Sequence, residues 1–156
     1  MVKKKGVIFD LDLTLVDTDF KYMNEILNHT CGEFGLKNPS RELIERFWYG
    51  PNINGFIEER ITEDVDEFWK VYSEFETEKL DLRAEQTNAF EDAKFLLQLH
   101  EEDYKLGILT GAPMDVVKAE VEKLYEELGR KDIFKIIVTA PEDGNRDIEA
   151  EGVYEF

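Results

Sequence analysis

Several features that would narrow the function of this 156-residue chain are scarce or missing from its sequence. Cys31 is the only cysteine, so no intrachain disulfide can form, and a reducing, cytoplasmic compartment is expected. No apolar run approaches the roughly 20 residues that span a bilayer. The apolar residues that follow the basic N-terminus, residues 6–9, are too few for a signal peptide. We therefore expect neither a membrane segment nor an export signal.

Positive charge is also scarce, because 19 Lys and Arg face 36 Asp and Glu, giving a formal net charge of −17. Such a chain lacks the clustered cations that neutralise nucleic-acid phosphates, and anionic membranes repel it. We therefore expect no nucleic-acid partner and no membrane partner. An anionic small molecule stays open as a substrate, provided that a local positive charge such as a metal ion offsets the field.

The most informative stretch is an apolar run at residues 7–9 that stops at two carboxylates, Asp10 and Asp12. The run is β-branched or aromatic, which predicts a buried strand, and open α/β folds bind ligands where such strands end. A carboxylate there can attack phosphorus, and a second one nearby can transfer protons. Oxygen ligands of this kind also suit Mg²⁺. A calcium loop is disfavoured, because Lys21 stands where its final glutamate would be.

The chain then alternates between two patterns. Residues 16 to about 85 repeat apolar and aromatic side chains at three- and four-residue steps, which predicts helices with an aromatic-rich core. From residue 88 the pattern becomes helix, strand (104–110), helix (after Pro113) and strand (134–139). This order implies right-handed crossovers and a parallel sheet. The sequence thus predicts an α/β fold, a Rossmann-like core with an all-helical insertion after the first strand.

Helix starts are predicted from capping residues. Thr18, Ser40 and Thr62 each precede an amphipathic run and are candidate N-caps. Asn88, with Glu91 three residues later, matches a capping box and predicts a helix over 88–101.

Thr110 and Gly111 end the second core strand and open the next helix. A hydroxyl and backbone amides at such a position can hold phosphate oxygens. A threonine at a strand end is ordinary in itself. Its interest comes from its spacing after Asp10 and Asp12 and from the glycine that follows.

Two segments carry a family resemblance. Residues 9–18, Phe-Asp-Leu-Asp-Leu-Thr-Leu-Val-Asp-Thr, resemble motif I of the haloacid dehalogenase-like (HAD) hydrolases, and residues 106–111, Leu-Gly-Ile-Leu-Thr-Gly, resemble motif II. The helical insertion is similar to the family's C1 cap, a lid that closes the site to water. The resemblance implies an α/β core at residues 1–14 and 86–156 and a helical cap at residues 15–85.

The same resemblance implies site roles. Asp10 would be the nucleophile and a Mg²⁺ ligand. Asp12 would be the general acid and base, and its backbone carbonyl would also bind the metal. Thr110, with Gly111, would bind the transferring phosphoryl group. An acid at Asp12 argues against true dehalogenation.

The sequence departs from the family pattern at three places. Leu13 stands where the family often has glycine. The motif III lysine is not found, because Asp147 or Ile148 occupies its place, and no acid matches motif IV, so the chain resembles a C-terminally truncated member. Losing transition-state electrostatics of this kind costs about 10²- to 10³-fold per group. Lys105, Lys131 and Lys135 flank strands and could stand in for the lysine, although solvated surface is the better interpretation of all three.

Without the motif IV strand, the first strand would be an exposed apolar edge, which proteins usually avoid. A homodimer partner could cover that edge, the chain could be a fragment, or its own tail could fill the gap. In the third case residues 152–156 would run antiparallel beside the first strand. Asp147, Glu149 or Glu151 would then lie near Asp10 and could replace the missing metal ligand.

The expected function is that of a Mg²⁺-dependent phosphatase of small phosphorylated metabolites, working through an aspartyl-phosphate. The alternative is a catalytically impaired HAD relative that acts as a binding or dimerisation module. No residue of the helical insertion points to a particular substrate.

Overall fold

The computed structural model describes residues 5–139, and only the backbone of residues 152–155. The chain divides into two compact units, Met1–Thr18 with Arg83–Phe156 and, separately, Asp19–Leu82. In chain order the elements are β1 (Gly6–Phe9), β2 (Val16–Thr18), α1 (Phe20–Glu33), α2 (Arg41–Tyr49), α3 (Ile53–Arg60), α4 (Val65–Glu78), α5 (Leu80–Gln86), β3 (Thr87–Ala89), a 3-10 helix (Glu91–Lys94), α6 (Phe95–Glu101), β4 (Lys105–Leu109), α7 (Met114–Leu128), β5 (Phe134–Thr139) and β6 (Gly152–Glu155).

The first unit is built on a four-stranded sheet in the order β1-β4-β5-β6. β1, β4 and β5 are parallel neighbours, with Phe9 level with Ile108. Apolar residues from β4, β5 and α7 form one buried core: Leu106, Ile108, Val117, Val121, Leu124, Phe134 and Ile137. The predicted α/β fold with a parallel sheet is therefore confirmed, and the carboxyl ends of β1 and β4 meet at one edge of the sheet.

The tail does not pair with β1. β6 runs antiparallel beside β5, with Tyr154 level with Ile137, at the opposite side of the sheet from β1. Of the three possibilities for the edge of β1, the one that places residues 152–156 beside it is therefore wrong, because residues 152–155 pair with β5. A strand following β5 has the free edge of β5 beside it, and consecutive strands usually pair as neighbours. Asp147, Glu149 and Glu151 lie outside the described residues.

A short antiparallel ribbon closes the first unit where the chain leaves and re-enters it. β2 pairs with β3, so that Asp17 is level with Asn88, and the Phe90 amide donates to the Leu15 carbonyl. The predicted capping box is therefore wrong, because Asn88 lies in a strand and the 3-10 helix has Phe90 as its N-cap. Pairing across the ribbon outweighs the local capping preference of Asn88. The ribbon also places residues 15–18 in the first unit rather than with the helical insertion.

The second unit is all helical, with α1 to α4 around an aromatic core. Its largest buried side chains include Tyr22, Met23, Phe68 and Tyr72. Aromatic burial in this unit supports the predicted packing role of these rings.

The N-caps of this unit agree with prediction in one case of three. Ser40 caps α2 as predicted, through Oγ to the Leu43 amide at 3.2 Å. Asp19 and Asp64, rather than Thr18 and Thr62, cap α1 and α4. In both cases the chain extends further than the threonine before it turns into the helix. Among the described helices, none has the length and apolar character needed to cross a membrane.

Candidate active site

Asp10 and Asp12 follow β1 at the carboxyl edge of the sheet. Leu11 between them is fully buried, whereas both aspartates reach solvent, as the alternation of an extended chain requires. Asp10 Oδ1 accepts a hydrogen bond from the Leu11 amide at 2.9 Å. The two carboxylates therefore sit on the open side of the loop, with Leu11 anchoring it in the core.

The loop that holds the aspartates is a tight turn. The Leu11 carbonyl accepts from the Leu15 amide at 2.9 Å and from the Val16 amide at 3.2 Å, and the Leu13 amide donates to the Val16 carbonyl at 2.8 Å. Leu13 has φ +59°, a left-handed conformation that favours glycine. This backbone accounts for the glycine that the resemblance leads one to expect at this position, and Leu13 fills it at some cost in strain.

The pKa of Asp10 is raised above its usual range. Partial burial of the carboxylate is the main cause; the Leu11 amide opposes it, and the charge of Asp12 adds to it. The shift that the structure shows falls on Asp10, the predicted nucleophile. A nearby positive charge would oppose this shift and favour the ionised form of Asp10.

Thr110 and Gly111 come directly after β4, the parallel neighbour of β1. Thr110 is buried, its amide donates to the Val138 carbonyl at 3.0 Å, and its Oγ1 accepts from the Ala112 amide at 3.2 Å. A Cβ added to Gly111 would meet no atom within 4 Å, so open space adjoins this residue. The loop therefore presents a fixed hydroxyl and an unobstructed backbone at the same sheet edge as Asp10 and Asp12.

Asp12 is held by a buried arginine that the sequence did not single out. Arg83 Nη2 donates to Asp12 Oδ1 at 2.7 Å, and Arg83 Nε donates to Glu120 Oε1 at 2.7 Å. Arg83 is 3% exposed and the Glu120 side chain is 0% exposed, whereas the Asp12 side chain is 33% exposed. One guanidinium thus bridges a solvent-accessible carboxylate in the site and a carboxylate inside the core.

Within this cluster of Arg83, Asp12 and Glu120, the carboxyl group with the raised pKa is that of Glu120. Burial raises its pKa to about 8; Arg83 opposes this, and Asp12 adds to it. Oε2 of Glu120 is buried and has no hydrogen-bond partner among the described residues. A single guanidinium cannot fully balance two carboxylates, so the more deeply buried one has the greater tendency to take up a proton.

The local signals for Arg83 and Glu120 differ in strength. Glu120 falls within the apolar stripe of α7, beside Val117 and Val121, and a charged residue in such a stripe is a detectable anomaly. Arg83 lies in a short segment of mixed polarity, and nothing in its neighbours marks it as buried. Its partners are 37 and 71 residues away in the chain, beyond any local pattern.

The lysines considered as replacements for motif III lie at the wrong end of the sheet. Lys105 is the first residue of β4, Lys135 is the second residue of β5, and Lys131 precedes β5. Asp10 and Thr110 instead follow the ends of their strands. Because the strands are parallel, these lysines lie at one end of the sheet and the aspartates at the other.

The donor set partly fits Mg²⁺. The Asp10 carboxylate and the Asp12 backbone carbonyl are hard oxygen donors, and Mg²⁺ commonly keeps several water ligands. A cation would also offset the conditions that raise the pKa of Asp10. Within the part of the chain that the structure describes, no group of three or more His, Cys, Asp or Glu is arranged to hold a metal ion. The described residues thus supply two donors and leave the remaining positions to water, substrate or other residues.

Comparison with known proteins agrees with this architecture. The model of the haloacid dehalogenase-like hydrolase family matches residues 7–147. The chain therefore belongs to the haloacid dehalogenase-like hydrolases, and the resemblance predicted from motifs I and II is confirmed. A comparison with curated protein sequences gave no significant match.

Solved structures share the fold. A candidate phosphatase from Clostridium difficile is 25% identical with a TM-score of 0.65, and the match covers 92% of this chain and 65% of that one. A haloacid dehalogenase-like hydrolase from Streptococcus pneumoniae is 21% identical with a TM-score of 0.64, covering 91% and 64%. A predicted phosphatase from Clostridium acetobutylicum is 19% identical with a TM-score of 0.68, covering 91% and 63%. The chain thus spans less than two thirds of the length of each of these proteins.

Proposed function

We propose that this chain hydrolyses phosphate monoesters of small metabolites through an aspartyl-phosphate on Asp10. The observation that carries the proposal is the meeting of Asp10, Asp12 and Thr110 at the carboxyl edge of two adjacent parallel strands. Family membership and the phosphatase assignment of the Clostridium difficile protein, which is 25% identical, support the same chemistry.

In the first half-reaction an oxygen of Asp10 attacks phosphorus, forming the new P–O bond as the bond to the leaving alcohol breaks. Asp12 donates its proton to the leaving oxygen. Thr110 and the amides of its loop hold the phosphoryl oxygens. In the second half-reaction Asp12 takes a proton from water, which attacks the same phosphorus and releases inorganic phosphate with the free carboxylate of Asp10.

Mg²⁺ is the cofactor we propose, held by the carboxylate of Asp10 and the carbonyl of Asp12. When bound, it would neutralise negative charge on the phosphoryl group and on Asp10. We propose the helical unit, residues 19–82, as the cap that sets substrate choice and excludes water. A free, buried Cys31 fits the reducing cytoplasm as the working compartment.

A phosphatase assay with and without Mg²⁺ tests the proposal, using 4-nitrophenyl phosphate and a panel of small phosphate monoesters. Asp10→Asn should abolish turnover because the amide is a poor nucleophile. Asp103→Asn is the matched control, since Asp103 is an exposed turn residue with φ +61°, a conformation that asparagine also adopts. Turnover in the wild type that needs no Mg²⁺, or that survives in Asp10→Asn, would contradict the proposal.

A second candidate function is a catalytically impaired relative that acts as a dimerisation module. It is favoured by the edge of β1, which has a strand neighbour on one side only among the described strands, and by Ile8, which is 67% exposed. A second copy of the chain is the partner we propose for that edge. Sedimentation of the wild type and Ile8→Lys tests it, and a monomeric wild type would exclude it.

A further inference from the structure

We infer that Arg83 is the positioning residue of Asp12 in the proposed phosphoryl transfer, and that Glu120 holds Arg83 in place for it. The inference rests on the proposed function, because it concerns how the acid and base of that reaction is oriented. Neither the family match nor the motifs assign a role to Arg83 or Glu120.

The first step is the geometry of the contact. Arg83 approaches Asp12 Oδ1 at 2.7 Å, the length of a strong charge-assisted hydrogen bond. A partly exposed aspartate has a choice of side-chain rotamers, and one fixed donor restricts that choice. Because the contact uses Oδ1, it leaves Oδ2 as the oxygen that exchanges the proton with the leaving group and with water.

The second step is the rigidity of the donor. Arg83 is 3% exposed, and its Nε donates to Glu120 Oε1 at 2.7 Å while Nη2 donates to Asp12, so two nitrogens of the planar guanidinium are held at once. Glu120 is itself fully buried on α7, a 15-residue helix whose apolar face packs in the core of the first unit. The position of Asp12 is therefore set by a chain of contacts that leads from the helix core through Arg83 to the site.

The third step is that stabilisation of the fold does not by itself explain the buried pair of Arg83 and Glu120. Replacing a buried ion pair by apolar residues is often neutral for stability, so stability alone does not favour two charged residues at this depth. Asp12 is the partly exposed end of the network, with its side chain 33% exposed, and its charge acts on Asp10 two residues earlier. The network reaches the solvent side of the protein at the proposed acid.

The experiment compares substrates that differ in their need for an acid. Aryl phosphates with increasingly acidic phenols need less protonation of the leaving oxygen, and kcat/KM reports the steps up to phenol release. We expect Arg83→Met to lower kcat/KM for phenyl phosphate by about 10- to 100-fold, within the range of general acid catalysis. For 4-nitrophenyl phosphate the loss should stay below about threefold. Asp12→Asn should make kcat/KM depend more steeply on the acidity of the phenol, as Arg83→Met does. The double variant, Arg83→Met with Asp12→Asn, should have the same kcat/KM as Asp12→Asn alone.

Controls separate positioning from folding. Arg130→Met removes an exposed arginine that is also 2.7 Å from an aspartate and should leave both rates unchanged. Arg83→Lys keeps the charge without the fork and should restore part of the phenyl phosphate rate; it also replaces Arg83→Met if that variant does not fold. Equal losses on both substrates would overturn the positioning role while leaving the proposed function intact. A wild type without Mg²⁺-dependent turnover would overturn both.

Discussion

The buried carboxylate of Glu120 makes the stability of this protein depend on pH in a way that one substitution can isolate. The pKa of Glu120 is raised from 4.5 to about 8 in the folded state, chiefly by burial. Between these values the folded protein binds a proton that the unfolded chain does not bind. Stability therefore contains a contribution that is complete below the unfolded pKa and is lost as pH rises through the folded pKa.

Glu120→Gln removes this titration and keeps a carbonyl oxygen to accept from Arg83. A single group contributes a slope of about 1.4 kcal/mol per pH unit within its window. From pH 5 to pH 8 the variant should therefore gain on the wild type by up to about 4 kcal/mol, with less if Arg83 retains more of the negative charge on Glu120. The absolute stability of either protein is not decisive, because the net charge of −17 adds its own decline with pH to both.

Urea unfolding at pH 5, 6, 7 and 8 measures the difference between the wild type and Glu120→Gln. Glu122→Gln is the matched control, since Glu122 lies two residues further along α7 on an exposed position. We expect the free energy of unfolding of Glu122→Gln to change with pH as that of the wild type does. The free energy of unfolding of Glu120→Gln should rise above that of the wild type as pH increases. Parallel curves for all three proteins would show that Glu120 is ionised in the folded state across this range, and would refute the reasoning.

Two further substitutions test the loops that carry the site. Thr110→Val should lower kcat/KM by about 10²-fold, as expected for the loss of one phosphoryl donor. It should lower the free energy of unfolding by only about 1 kcal/mol, because the Ala112 amide loses its 3.2 Å acceptor. Thr110→Ser keeps the hydroxyl, and a serine variant that restored neither the rate nor the stability would contradict this role of the hydroxyl. Leu13→Gly should change the free energy of unfolding by less than about 1 kcal/mol, because relief at φ +59° is offset by glycine's greater freedom in the unfolded chain. A larger loss in urea unfolding would show that the 45% exposed Leu13 side chain packs usefully.

The parts of the fold that depend on local pattern were predictable. β1, β4, β5 and α7 each have a continuous run or stripe of apolar residues, and their alternation determines a parallel sheet. The errors lie where long-range pairing competes with a local signal. Asn88 has a good capping sequence but pairs with Asp17, which is 71 residues earlier in the chain. The capping preference of a single asparagine contributes less to stability than pairing along a whole strand does.

The residues of the candidate site also differ in how far local sequence pattern predicts their positions. The placement of Asp10, Asp12 and Thr110 at one sheet edge could be predicted, because strand ends are visible in the sequence and parallel strands bring their ends to one edge. Arg83 could not, because its burial arises from contacts with Asp12 and Glu120 rather than from its neighbours. The aspartates are therefore evident from sequence, whereas the groups that orient one of them become evident only with the packing.

Charge around the aspartates gives an argument for Mg²⁺ that does not depend on the motifs. Arg83 is a cation in contact with Asp12, and it also donates a hydrogen bond to Glu120. A phosphate monoester placed beside Asp10 would add negative charge next to a carboxylate whose pKa is already raised by partial burial and by the charge of Asp12. Arg83 does not offset this addition, because its charge is already paired with Asp12 Oδ1 at 2.7 Å. The proposed Mg²⁺, held by the Asp10 carboxylate and the Asp12 carbonyl, is a cation from outside the cluster that would offset the charge of a bound phosphate.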